Sequence, residues 1–141
     1  MNVYILEDDG VFGRFIEKIV RKAEQVDEVF SLKSDSEIMN ITSGRIDFHQ
    51  IMSPDIIFLD NYIGKSSMFK YVKDLRKNFP FSVILTMSSI NNENHAVQTL
   101  NEGANQYFLK SESFADDLID YFASDDFHTD YTSFNSIAKY L

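Results

Sequence analysis

A chain of 141 residues with 44% hydrophobic and 25% charged residues has the size and composition of one soluble globular domain. It has no cysteine, which excludes a disulfide framework and a thiolate metal site. Its apolar stretches are far too short to span a bilayer. A net charge of -9 argues against direct nucleic-acid binding, which needs a basic footprint. The first residues enter an apolar run without a signal-peptide pattern, so a cytoplasmic protein with no membrane attachment is expected.

Val3-Tyr4-Ile5-Leu6 is the first short apolar run, and it ends in Glu7, Asp8 and Asp9. Val11, Phe12, Phe15, Ile16, Ile19, Val20 and Ala23 then recur at helical spacing, predicting a helix over roughly 11–24. Val29-Phe30-Ser31-Leu32 reads as a second strand, and Ser34-Asp35 with Glu37 behind it is a helix start signal. From Ile38 to Met52 the pattern is least regular, with Gly44 and the β-branched Ile41 and Thr42, so a helix interrupted or extended by a loop is expected. Pro54-Asp55 opens a third strand, Ile56-Ile57-Phe58-Leu59, which Asp60 ends. Met68, Val72, Leu75 and Phe79 form a stripe on a third helix, terminated by Pro80. A fourth strand covers about Val83 to Met87 and is closed by Ser88 and Ser89. A polar helix follows from about Asn92 to Glu102, with Val97 and Leu100 inward and Gly103 at its C-terminal end. Gln106–Leu109 is the fifth strand, closed by Lys110, and a last helix holds Ala115, Leu118, Ile119 and Phe122.

Five strand–helix units follow one another with no linker, repeat or low-complexity segment, which predicts one domain. Short continuous apolar runs alternating with helical patterns read as parallel strands buried on both faces. In such a sheet, functional groups gather beyond the carboxyl ends of the strands. An acid cluster, a lone aspartate, a hydroxyl and a lysine would therefore meet in one place, with chemistry suited to a divalent cation and a phosphoryl group. Each has a plainer reading alone. Asp9 suits a helix N-cap, Asp60 a turn initiator, Ser88 a cap of the next helix and Lys110 a surface charge. His49, His95 and His128 lack a metal-like spacing.

Taken together, Val3–Asp9 (VYILEDD), Pro54–Asp60 (PDIIFLD), Val83–Ser89 (VILTMSS) and Gly103–Ser111 (GANQYFLKS) resemble the receiver domain of two-component response regulators over about residues 1–123. The 22-residue spacing from Ser88 to Lys110 fits that family and selects Ser88 over Thr86 or Ser89. The resemblance implies a flavodoxin-like α/β fold, a doubly wound five-stranded parallel sheet of order 2-1-3-4-5 with helices on both faces. It implies that Asp60 accepts a phosphoryl group from a histidine kinase or histidine phosphotransferase, assisted by Ser88 and Lys110. Asp8, with Glu7 or Asp9, would hold Mg2+ together with Asp60 and the backbone carbonyl of Tyr62. The pair is read as Glu7-Asp8, because four strand residues then precede it; reading Asp8-Asp9 puts Arg14 at a common basic position. Tyr107 would change rotamer with phosphorylation and remodel the face of helix four, strand five and helix five for a downstream protein partner or effector domain. Such a chain is no enzyme beyond assisting its own phosphorylation and dephosphorylation.

The departures from the family carry expectations of their own. Ser111 stands where proline usually follows the lysine, and Asn61-Tyr62-Ile63-Gly64-Lys65-Ser66-Ser67 replaces the usual Met-Pro turn. Gly64 can make that turn. The segment before the third strand is longer than usual, around Ser43 to Gln50. Tyr62 and Ile90 would flank the phosphoryl group and hinder an attacking water, predicting a long-lived acyl phosphate. Residues 124–141 form a tail in which Phe127, Tyr131, Phe134, Ala138 and Leu141 are spaced for an additional amphipathic helix, laid on the domain or on a second chain as a homodimer seam. The alternative function is a pseudo-receiver that binds partners constitutively without phosphorylation. A Mg2+-dependent phosphohydrolase ranks last, since Tyr62 occupies the place of that family's usual second aspartate.

Overall fold

Strand alternation explains the architecture. In the first strand, β1 (Asn2–Leu6), Val3 and Ile5 point to one face of the sheet, Tyr4 and Leu6 to the other, and all four are buried. The same division runs through β3 (Ile56–Asp60), where Ile56 and Phe58 join Val3 and Ile5, while Ile57 and Leu59 join Tyr4 and Leu6. A strand apolar on both faces needs helices on both, and that is what forms. This computed structural model describes residues 1–42, 53–63 and 66–138.

Between β1 and β3 lie α1 (Gly10–Ala23), the edge strand β2 (Glu28–Leu32) and α2 (Asp35–Thr42). A short antiparallel pair follows Asp60, β4 (Tyr62–Ile63) with β5 (Ser66–Ser67). A 3-10 turn at Phe69–Tyr71 leads into α3 (Val72–Asn78). Then come β6 (Val83–Ser88), α4 (Glu93–Asn101), β7 (Gln106–Leu109), α5 (Phe114–Phe122) and α6 (Asp125–Ala138). The main sheet is parallel with order β2-β1-β3-β6-β7. The five expected strands thus take the expected order, and the β4–β5 pair is the addition that the sequence did not announce. The irregular stretch up to Met52, including Gly44 and His49, lies outside the described residues beyond Thr42, as do Gly64 and Lys65. Among the described residues no helix is long and apolar enough to cross a membrane.

Local chemistry sets the helix boundaries. Asp9 caps α1, its Oδ1 accepting from the Val11 and Phe12 amides at 2.9 and 3.2 Å. Ser34 Oγ accepts from the Glu37 amide, Asn92 Oδ1 from the Asn94 and His95 amides, and Ser124 Oγ from the Phe127 amide. After α4, Gly103 has φ 122°, where a side chain is strained, and a Cβ there would lie 2.9 Å from Arg76. Arg76 fills the space that glycine leaves and donates to the carbonyls of Gly103 and Ser82 and to Asn105 Oδ1.

One core cluster lies under α1, α5 and α6, including Ile16, Val20, Phe114, Leu118 and Phe127; the other lies under α2 and α3, including Ile41, Val72 and Leu75. Helix α4 corrects the expectation for its inward residues. Val97 is 55% exposed and Leu100 43%, whereas Thr99 is fully buried. Thr99 Oγ1 donates to the Ala96 carbonyl and accepts from Thr86 Oγ1 of β6, which in turn also reaches the Gln106 carbonyl. A paired hydroxyl is cheap to bury, so this threonine pair sets the rotation of the helix against the sheet. Beyond α5, Phe127 of α6 is buried against Phe122, ring centroids 4.9 Å apart, and against Tyr121 at 5.4 Å.

Candidate functional site

Parallel register brings the strand ends together. Leu6 pairs with Leu59, so the next residues, Glu7 and Asp60, lie side by side. Asp60 pairs with Met87, and Ser88 with Leu109, so Ser88 and Lys110 follow at the same edge. The Lys110 amide, bonded to the Ser88 carbonyl at 2.7 Å, extends the β6–β7 ladder to the site.

Glu7, Asp8 and Asp60 offer carboxylate oxygens that all lie within 4.8 Å of one another. Glu7 is 2% exposed and Asp60 5%, while Asp8 is exposed. Lys110 Nζ bridges the two buried acids, 2.9 Å from Glu7 Oε2 and 3.0 Å from Asp60 Oδ2. It also lies 4.5 Å from the centroid of the Phe12 ring. Asp9 is turned to its capping role, and its own amide donates to Glu7 Oε1 at 3.3 Å. The Tyr62 amide donates to Asp60 Oδ1 at 3.3 Å, while the Tyr62 ring meets the edge of Phe69. Ser88 is fully buried and its Oγ accepts from the Ile90 amide at 3.0 Å; Tyr107 donates its hydroxyl proton to the Ile90 carbonyl, also at 3.0 Å. One exposed residue, Ile90, is thus held from both sides.

Three carboxylates face one ammonium, and the crowding shows in the proton affinities of Glu7 and Lys110. Burial pushes the Glu7 carboxyl up to about 8, the neighbouring Asp60 carboxylate adds to the rise, and Lys110 opposes it. Burial alone would lower the Lys110 ammonium, but its bond to Glu7 and the charges of Asp60 and Glu7 outweigh that and raise it. Sequence reasoning missed Asn61. It stands next to Asp60, is fully buried, and among the described residues neither its amide oxygen nor its nitrogen has a hydrogen-bond partner. Its backbone is pinned on both sides, donating to the Met87 carbonyl and accepting from the Met68 amide. Among the described residues no peptide bond is cis, Lys110–Ser111 included.

A hard, all-oxygen donor set beside a lysine suits a divalent cation such as magnesium together with an anionic group. The comparisons agree with this geometry. A family model described as the response regulator receiver domain matches residues 3–122. A receiver domain from Rhodospirillum rubrum superposes with a TM-score of 0.71 at 19% identity, covering 86% of this chain and 91% of its own. The Mn2+-bound response regulator Rcp1 gives 0.67 at 16% identity, covering 86% and 88%. A Burkholderia pseudomallei response regulator with a phosphorylated aspartic acid, a calcium ion and citrate gives 0.65 at 17%, covering 94% and 72%. No curated protein matches the sequence. With the flavodoxin-like sheet in place and the family model spanning all five strand–helix units, the chain belongs to the response regulator receiver domain family.

Proposed function

We propose that this chain is a working phosphoacceptor of a two-component phosphorelay, taking a phosphoryl group on Asp60 from a phosphohistidine of a kinase or phosphotransferase. The observation that carries the reading is the Lys110 ammonium, 3.0 Å from Asp60 and 2.9 Å from Glu7 at the edge of a three-carboxylate cluster. An Asp60 oxygen attacks phosphorus, the donor's N–P bond breaks, and the leaving imidazole keeps the electron pair and takes a proton. The product is an acyl phosphate on Asp60. Lys110 exchanges its bond to Asp60 Oδ2 for one to a phosphoryl oxygen, and the Ser88 hydroxyl donates to another. Glu7, Asp8 and Asp60, with the Tyr62 backbone carbonyl, would hold Mg2+. When bound, that ion supplies the positive charge that offsets repulsion between carboxylate and phosphoryl oxygens. The manganese and calcium ions of Rcp1 and of the Burkholderia regulator support a divalent ion of this kind.

The output step follows from the double hold on Ile90. Drawing the Ser88 hydroxyl toward the phosphoryl group competes with its contact to the Ile90 amide, which loosens the loop that Tyr107 also grips. Val97 and Leu100 on α4 and Ile119 on α5 are all more than 40% exposed, and they supply apolar surface for a protein partner on the α4–β7–α5 face. A second reading, a constitutive pseudo-receiver, draws support from the β4–β5 pair and the unpartnered Asn61 beside Asp60. Intact mass after incubation with acetyl phosphate and Mg2+ separates the two. The phosphoacceptor gains one phosphoryl group, lost in Asp60→Ala and without Mg2+; a pseudo-receiver gains none.

A further inference from the structure

We infer that Phe12 is a positioning residue for phosphoryl transfer, its ring face holding the Lys110 ammonium at the point where Asp60 and Glu7 meet it. The inference rests on the phosphoacceptor reading of Asp60. Lys110 Nζ sits 4.5 Å from the Phe12 centroid while its two carboxylate partners lie at 2.9 and 3.0 Å. A cation over an aromatic face is attracted by the ring quadrupole, more strongly where water is excluded. The Lys110 side chain is only 15% exposed.

Lysine is a point charge on a flexible four-carbon stem, so its place depends on what surrounds the ammonium. The Asp60 contact cannot hold it throughout the reaction, because the oxygen it grips belongs to the group being phosphorylated, which leaves Glu7 and the ring to keep the ammonium in place. The ring contact involves neither carboxylate and persists while that bond is exchanged. The ring is itself clamped. Phe114, 1% exposed on α5, lies 5.0 Å from Phe12, and Phe15 lies 5.9 Å away. Phe114 also meets Phe108, centroids 6.2 Å apart, on the strand that delivers Lys110. Platform and lysine are therefore fixed to one packed unit of α1, α5 and β7.

The test uses the full chain with acetyl phosphate and Mg2+, reading the rate of phosphoryl gain by intact mass. In that reaction the donor's O–P bond breaks, acetate leaves with the electron pair, and Asp60 forms the new O–P bond. Phe12→Leu removes the ring. Replacement of Phe12 by 3,4,5-trifluorophenylalanine keeps the ring's shape and packing but withdraws electron density from its face. Both slow phosphorylation about three- to tenfold, and Phe12→Tyr stays within about twofold of the parent chain. By NMR, the Lys110 ε protons are shifted upfield by the ring current in the parent and lose that shift in Phe12→Leu. A trifluoro variant that reacts at the parent rate overturns the proposal, as does a parent chain without the upfield shift. If the parent gains no phosphoryl group, the phosphoacceptor reading itself fails and the role falls with it. That result is distinct from a labelled parent whose Phe12 variants are equally fast.

Discussion

Substituting Glu7→Gln removes an ionisable carboxyl from the site while keeping its shape. The Gln oxygen still accepts from Lys110, and its amide nitrogen can donate toward Asp60. In the folded chain the Glu7 carboxyl is held near 8 against an ordinary value of 4.5, so the folded state binds its proton more tightly than the unfolded chain does. Raising the pH from about 4.5 to 8 therefore favours unfolding of the parent, and the penalty levels off above 8. At pH 7 the difference amounts to roughly 3 kcal/mol, at about 1.4 kcal/mol per pH unit below the folded value. The burial of Glu7, 2% exposed, leaves little solvent screening to reduce it. Thermal unfolding in EDTA is the assay. Glu7→Gln should match the parent near pH 4.5 and melt about 10 °C higher at pH 7, taking about 3 °C per kcal/mol for a chain of this size. Millimolar Mg2+ should close the gap, since the parent has the additional anionic ligand. A variant no more stable than the parent at pH 7 in EDTA, or a difference flat across pH, would refute the reasoning.

Asn61→Val replaces the buried amide that has no partner, and should stabilise the chain by about 1–3 kcal/mol in urea unfolding. An unchanged midpoint would mean that a buried water already satisfies the amide. Gly103→Ala should cost about 1–3 kcal/mol in urea unfolding, because the left-handed backbone and the Arg76 stem at 2.9 Å both resist a Cβ; an Arg76→Ala background, which keeps the Cβ at 2.9 Å, should recover only a fraction of that cost. Phe127→Ala should cost about 3–5 kcal/mol if α6 stays on the domain in solution, as its 5% exposure and contacts with Phe122 and Tyr121 require. A loss below 1 kcal/mol would place α6 off the domain. Tyr62→Ala and Ile90→Ala should each shorten the lifetime of the labelled Asp60, measured as decay of the phosphorylated mass, if those side chains hinder an attacking water.

Strand positions and their common edge were legible because a parallel strand buried on both faces must be continuously apolar, and the residue that breaks the run then sits at its end. Val3–Leu6 followed by Glu7 and Ile56–Leu59 followed by Asp60 needed nothing more to be set side by side. The caps at Asp9 and Ser34 were legible for a similar reason, since each acts on amides two or three residues away. The facing of α4 was not. Periodicity pointed to Val97 and Leu100, but the buried residue is Thr99, because burying a hydroxyl is cheap only once Thr86 on a distant strand supplies its partner. The acid cluster shows the same boundary. Sequence placed Glu7, Asp8 and Asp9 together with Asp9 suited to a cap, and the structure keeps Asp9 on the α1 amides and gathers Glu7 and Asp8 with Asp60. The unpartnered state of Asn61 and the Phe12 ring under Lys110 also depend on contacts between residues far apart in the chain. Local chemistry and periodicity determined where the strands end and which groups those ends carry. Long-range packing decided which of those groups point at one another and what charge each can hold.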